Sequence, residues 1–340
     1  MKLWYIRGAW ASRKAKAMLP NIQPQAIRRI AVIRHGALGD MVMVRPLLLE
    51  LRRHFPNAEL TLSLVTNYTY SAPTELVDRV HVVYGNDRRD VSRREQIRKM
   101  RELGPQDIIF DCADTSRGYW LTLLSSARLK IGYPFRTWQR YVFYDAAVFR
   151  SDFVFEADNM LHMLQLFGLK TQHPPVPSFP GVAKEHPRQY VVYFPTASII
   201  SKCWPVERFA ELIARMAATY PHQDHFVMQG VTPWETIEPI MRQLGGYANV
   251  QGIQPGPLAE CVSYIKGAAL VVANDTGVRN LAIAAGTPTV GILFATFVPY
   301  RYWPLYGLHD VVFTPDAQIP SVDAVYASAV VMMKKVSPGA

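Results

Sequence analysis

Cysteine is scarce in this chain of 340 residues: Cys112, Cys203 and Cys261 lie far apart and share no CxxC or metal-ligand spacing. A disulfide framework and a thiolate cage are excluded by that count, and unpaired thiols in a reducing compartment are expected. Long apolar runs are also missing, and none approaches the ~20 residues a membrane-crossing helix needs. The opening stretch, MKLWYIRGAWASRKAKAMLP, holds no sustained apolar segment of the signal-peptide kind, so a cytoplasmic protein is expected. Neither GxGxxG nor GxxxxGK[ST] occurs, which removes the two commonest glycine-rich phosphate cradles. DCADTS spaces its acids three apart, so no DxD metal motif stands there.

Acidic residues are absent before Asp40, whereas Lys2, Arg7, Arg13, Lys14, Lys16, Arg28, Arg29 and Arg34 all precede it. Trp4, Tyr5 and Trp10 interleave with these cations, a mixture suited to an anionic membrane surface. A second basic run, RRDVSRREQIRKMR, spans residues 88–101 in a chain of net charge +10. Nucleic acid attracts the same charge, yet no helix-turn-helix, zinc-finger or RNP signature is present. A membrane surface or an acidic acceptor, and no nucleic acid, is the expected partner.

What is present alternates. RRIAVIR reads as a buried strand, then a GALGD turn and a helix to about Phe55; AELTLSLVT, VDRVHVVYG and QDIIFDCAD follow as strands. TQHPPVPSFPGVAKEHP, residues 171–187, carries five prolines and suits an extended connection. Beyond it the pattern restarts: RQYVVYFPT (strand), VERFAELIARMAATY (helix), HFVMQG (strand), TIEPIMRQLG (helix), LAECVSYIKGA (helix), LVVANDTG (strand), NLAIAAG (helix), TPTVGILF (final strand). Such alternation predicts α/β architecture with two Rossmann-like, doubly wound parallel-sheet domains facing across a cleft. The expected boundaries are a basic arm over 1–27, a first domain over 28–170, a linker over 171–187, a second domain over 188–325 and a C-terminal segment over 326–340.

Ligands of open parallel sheets bind beyond the carboxyl ends of the strands, and the informative residues fall there. In IRHGALGD, Gly36 and Gly39 allow positive φ and close approach to the backbone. Asp40 at the strand-to-helix junction reads either as a helix cap or as a carboxylate base at a cleft lip. In NDTGVRNLAIAAGTPTVGIL, residues 274–293, the amides after Asp275, Thr276 and Gly277 open a helix whose N-terminus suits a phosphate.

These segments, together with DIIFDCADTSRG, KIGYPFR and SKCWPVERFAELI, resemble glycosyltransferase family 9, whose members include the ADP-heptose:lipopolysaccharide heptosyltransferases. The likeness runs from about Arg28 to the low 300s. It implies a GT-B fold, with an acceptor-binding domain first and a nucleotide-sugar domain second. It also implies an inverting, metal-independent transfer, most simply of heptose from ADP-heptose to a lipopolysaccharide core or related anionic glycolipid. The nucleotide sugar is then a substrate, no cofactor is implied, and the enzyme sits at the inner face of the inner membrane. Asp40 matches the family's general base. Lys202, before Trp-Pro, matches its diphosphate ligand, and Thr196 and Ser198 lie in the loop whose hydroxyls reach the phosphates. Asp275, Thr276 and Gly277 match the Asp-Ser/Thr-Gly that holds the diphosphate, and Glu235 corresponds to an acid near the donor ribose. Asn280 stands where the family has histidine, with Arg279 beside it as a replacement cation. Gly39, Arg117 and Arg136 fall on the acceptor side, with Lys130 and Arg140 nearby. The aromatic run VPYRYWPLYG offers either a wall for the base or interior packing. Two other readings stay open: a nucleotide-sugar epimerase on the same fold, and a non-catalytic homologue.

Overall fold

The computed structural model describes residues 9–69, 72–176, 178–295, 299–314 and 318–336. The chain divides into two compact units, Met1–Val176 and Pro177–Ala340, and the division falls inside the proline-rich segment. In the first unit the strands are β1 (Trp10–Ala11), β2 (Arg29–Ile33), β3 (Glu59–Val65), β4 (Arg79–Val83), β5 (Gln106–Asp111), β6 (Ala127–Gly132) and β7 (Ala146–Ala147). Its helices are α1 (Arg13–Met18), α2 (Leu38–Met43), α3 (Arg45–His54), α4 (Arg93–Arg101), α5 (Ser116–Leu124), α6 (Gln139–Phe143) and α7 (Glu156–Gln165). The sheet order is β1-β7-β6-β5-β2-β3-β4. Every pair is parallel except β1 with β7. Ile30, Ala31, Val32 and Ile33 are fully buried, as expected of a central strand covered on both faces.

Three expectations are corrected here. Residues 9–27 are not a free arm: Trp10 and Ala11 pair with Ala147 and Ala146, Ser12 caps α1 by accepting the Ala15 amide, and Ala15 is fully buried. The cationic and aromatic residues at positions 1–8 lie outside the described residues. The single helix expected to run to Phe55 breaks at Val44 into α2 and α3, because Pro46 has no N–H for the preceding turn and is tolerated only at a helix start. The basic run at 88–101 is partly self-neutralised, with Arg88 on Asp90, Arg98 on Glu95 and Lys99 on Glu102.

The second unit contains β8 (Tyr190–Phe194), β9 (Asp224–Met228), β10 (Val250–Ile253), β11 (Leu270–Asn274), β12 (Thr289–Leu293) and β13 (His309–Phe313), with α8 (Val206–Thr219), α9 (Glu238–Gln243), α10 (Leu258–Gly267), α11 (Gly277–Ala285) and α12 (Val322–Val336). All its strand pairs are parallel, in the order β10-β9-β8-β11-β12-β13. β12 is therefore not the last strand; β13 adds an edge whose residues are mostly half-buried. Nor is 326–340 a separate segment, since α12 crosses that boundary and buries Val325, Ala329, Met332 and Met333 in the core around Trp204 and Phe209. Both units reverse strand order at a central strand, β2 against β5 in the first and β8 against β11 in the second. That reversal opens a crevice at the carboxyl ends.

Candidate functional site

In the first unit, the turn after β2 delivers Asp40 to the third position of α2, with Ala37 at the N-cap. Asp40 is thus not the N-cap residue; its Oδ2 reaches back to accept the Ala37 amide at 3.2 Å. Neither Gly36 nor Gly39 has positive φ. What Gly36 supplies is clearance: a Cβ there would fall 2.3 Å from Asp40 Oδ2. Gly39 occupies the first turn of α2. The other carboxylate oxygen, Oδ1, accepts from Arg34 Nη2 at 2.6 Å. Arg34 is 3% exposed while Asp40 is 40% exposed, so a buried cation steers a carboxylate that still meets solvent.

Arg34 belongs to a longer network. Its Nη1 donates to Glu156 Oε1 at 3.0 Å and to the Cys112 carbonyl. Glu156 also receives Arg150, whose Nη1 donates to Asp114 Oδ2 at 2.6 Å. Burial works against the Arg34 charge, but Asp40 and Glu156 outweigh it and raise its pKa above the ordinary arginine range. Asp114 sits at positive φ (49°), a conformation that aspartate tolerates better than most residues. Its Oδ1 accepts the Tyr119 hydroxyl at 2.6 Å. Neighbouring Asp111 is fully buried, accepts from Tyr144 and Thr122, and is pushed up by burial to about 6.

Arg117, at the start of α5, is half-buried and donates to Asn86 Oδ1 at 3.2 Å. It is close enough to His35 to help burial lower that imidazole to about 3, so it lies near the Gly36 turn. Arg136 is exposed, and its backbone is tied to Gln139, the amide donating to Gln139 Oε1 and the carbonyl accepting the Gln139 amide. It lines a cavity of about 490 Å³ with Asp114, Trp120, Phe135, Trp138 and Phe143. Arg140 is buried and lies 4.7 Å from the Tyr141 ring, and Lys130 reaches the Leu123 carbonyl. Met163 is buried on α7 with its sulfur 4.0 Å from that of Cys112.

In the second unit, Ala273 pairs with Phe194, so Asp275 and Thr196 stand level two residues further on. The buried Asn274 joins the loops: its Oδ1 accepts the Trp204 amide at 3.1 Å, and its Nδ2 donates to the Pro195 carbonyl at 2.7 Å. Lys202 is thereby held against β11, and its Nζ lies 2.5 Å from Asp275 Oδ2. Thr276 is the N-cap of α11 and makes no side-chain cap, and Gly277 begins the helix. The first-turn amides of α11 have no partner within the helix. Thr196 Oγ1 and Asn280 Oδ1 are buried without a hydrogen bond, and Ser198 is exposed on the loop.

Glu235 is buried and turned onto its own loop, accepting from the Thr232 amide and hydroxyl. It lies near the Lys202 loop, because it helps burial raise the Cys203 thiol. Arg279 does not reach the surface. It is wholly buried against Gly291, donates to the Tyr302 carbonyl at 2.6 Å, and burial lowers it to about 10 despite Asp275 and Asp310. Tyr300 stacks on Trp303 at 5.8 Å. Among the described residues no three His, Cys, Asp or Glu side chains gather as a metal site.

Arg34 and Asn274 lie inside the motifs legible in the sequence, whereas Glu156 and Arg150 lie outside them. A lone cation closing an apolar strand marks Arg34. Nothing local marks Glu156, whose partners are more than a hundred residues away or across a loop.

The model of glycosyltransferase family 9 (heptosyltransferase) matches residues 164–324. Nothing among curated protein sequences matches the chain. Among solved structures, the chain is similar to E. coli heptosyltransferase WaaC with ADP-2-deoxy-2-fluoro heptose, at 18% identity and TM-score 0.71 over 89% of this chain and 98% of that one. A family 9 glycosyltransferase from Veillonella parvula gives 16% and 0.72 over 91% and 98%. E. coli ADP-heptose lps heptosyltransferase II gives 16% and 0.67 over 90% and 99%. Residues 164–324 thus match the model of glycosyltransferase family 9 (heptosyltransferase), and about nine tenths of the chain shares the GT-B fold of the solved heptosyltransferase structures.

Proposed function

We propose that the protein transfers a sugar, in the first place heptose from ADP-heptose, to a hydroxyl of a lipopolysaccharide core or related anionic glycolipid, with inversion at the anomeric carbon. The observation that carries this reading is the Lys202–Asp275 pair at the head of α11. It sets a cation, free amides and two orphaned polar atoms (Thr196 Oγ1 and Asn280 Oδ1) at one strand-order reversal, a set suited to a diphosphate. Buried polar atoms without partners cost about 1–3 kcal/mol each, and a bound donor would relieve them.

In the proposed step the acceptor oxygen attacks the anomeric carbon, and the carbon–oxygen bond to the diphosphate breaks. The leaving nucleoside diphosphate takes the electron pair, and Asp40 takes the acceptor proton. The charge developing on the leaving group is met by Lys202 and the amides after Asp275, so the chemistry does not call for a divalent metal. The positive, oxocarbenium-like sugar carbon needs no more than a weak nucleophile, which a carboxylate suffices to activate. Arg117 and Arg136 are assigned to anionic groups of the acceptor.

Purified protein incubated with ADP-heptose and a truncated lipopolysaccharide acceptor should release ADP only when both are present. A panel of other nucleotide sugars run alongside identifies the donor. Conversion of a nucleotide sugar without acceptor would replace this reading by the epimerase one, and no turnover on any donor would favour the non-catalytic one.

A further inference from the structure

We propose that the outward face of α5 and α6 in the first unit docks on an anionic lipid bilayer. Trp120, Phe135, Trp138 and Tyr141 are each more than half exposed, with Val142 beside them. The set is contiguous. Phe143 joins Trp120 and Trp138 at ring distances of 6.4 and 5.8 Å, and Phe135 shares their cavity. An aromatic surface of this extent is unusual on a protein that meets only water. Its make-up, tryptophan and tyrosine rather than leucine, suits the level of lipid headgroups, where an amphipathic ring keeps one edge wet.

The charge around this face selects the kind of lipid. Arg136 is exposed, lines the cavity, and has no side-chain hydrogen bond or ion pair among the described residues. The one carboxylate lining the cavity, Asp114, already receives Arg150 and Tyr119. The face also marks where the N-terminal peptide joins the fold, since Trp10 packs edge-on to Tyr141 at 5.1 Å. The peptide before it, MKLWYIRGA, holds Lys2 and Arg7 and no acid in its sequence, and positions 1–8 lie outside the described residues. Cations beside interfacial aromatics are the combination that binds anionic leaflets. The basic run at 88–101 lacks this pairing with exposed rings, and several of its charges are matched locally. The inference extends the proposed glycolipid transfer to the surface that would present the acceptor. It rests on that reading only for its purpose, because lipid binding and ADP release are separate readouts.

The test is sedimentation with vesicles of phosphatidylcholine containing one quarter phosphatidylglycerol, against phosphatidylcholine alone. The wild-type protein should bind the anionic vesicles, weaken as salt rises because the attraction is screened, and show a blue-shifted tryptophan emission. Phe135→Ser with Trp138→Ser should lower the bound fraction at least fivefold. Unchanged ADP affinity in calorimetry and unchanged circular dichroism would confirm that the variant folds. Deletion of residues 1–8, which spares β1 and α1, should weaken binding without abolishing the shift. The proposal is overturned if the double variant binds like wild type, if the deletion alone removes all binding, or if sedimentation velocity shows the double variant abolishing a dimer that the wild type forms.

Discussion

Gly36 and Asp40 act as one device. The carboxylate occupies the space a side chain at position 36 would take, so both oxygens keep their partners on Ala37 and Arg34. Asp40→Asn should cut turnover by about 10²–10⁴, the usual share of general base catalysis. ADP affinity should stay as it was, since the donor residues lie in the other unit. Gly36→Ala should lower turnover in the same direction by displacing the carboxylate. Near-normal rates in both variants would return Asp40 to a purely local, helix-starting role. For the donor side, Lys202→Ala removes a charged contact of about 1.5–3 kcal/mol, so calorimetry should show ADP binding weakened by roughly 10–100-fold. Unchanged affinity would remove Lys202 from the site.

At the scale of elements, the second unit's site depends on how three loops are tied to the end of β11. Asn274 serves two of them at once, and both its bonds are buried. Asn274→Ala leaves the Pro195 carbonyl and the Trp204 amide without partners, a cost of about 1–3 kcal/mol for each group. The urea midpoint should fall, and ADP affinity should fall with it as the Lys202 loop loosens. A stable variant with intact ADP binding would show that other contacts hold the loop. Helices such as α3 and α8 were readable from periodicity, because their apolar stripes persist for several turns. The two-residue strands β1 and β7 were not, because pairing so short leaves no period.

For the molecule as a whole, buried titrating groups set the response to acid. Burial lowers His225 and His309 to about 4, with Arg279 adding to the effect on His309. In the first unit burial lowers His35 to about 3 and His81 in the same direction, while Asp111 is raised to about 6. A histidine with a depressed native pKa contributes stability above its unfolded value near 6.5, and that stability is lost as pH falls toward the native pKa. Asp111 works oppositely: between pH 6 and about 4 its native form binds a proton that the unfolded form does not. Each unpaired proton is worth about 1.4 kcal/mol per pH unit. The second unit, with His225 and His309 both lowered, should lose more stability per pH unit near pH 5 than the first, where the raised Asp111 and Asp158 oppose the lowered His35 and His81. Hydrogen exchange of slow amides in β8 and β2 at pH 6.5 and 5, corrected for intrinsic rates, checks this. Equal losses would contradict it.

The sequence by itself determined the two α/β units, the order of most strands, and the strand ends where polar residues gather. Those features follow from local apolar periods and from glycine, proline and aspartate at turns. GALGD, PTASIISKCWP and NDTG were legible because each follows the end of an apolar run. Only the tertiary structure decided that Arg34 reaches Glu156 as well as Asp40, that Arg279 turns into the core, that Glu235 closes its own loop, and that Trp10 and Ala11 join the first sheet. These depend on partners distant in sequence or on side-chain direction within a crowded interior. Spacing along the chain encodes neither, because burial and pairing are settled only when the sheets close.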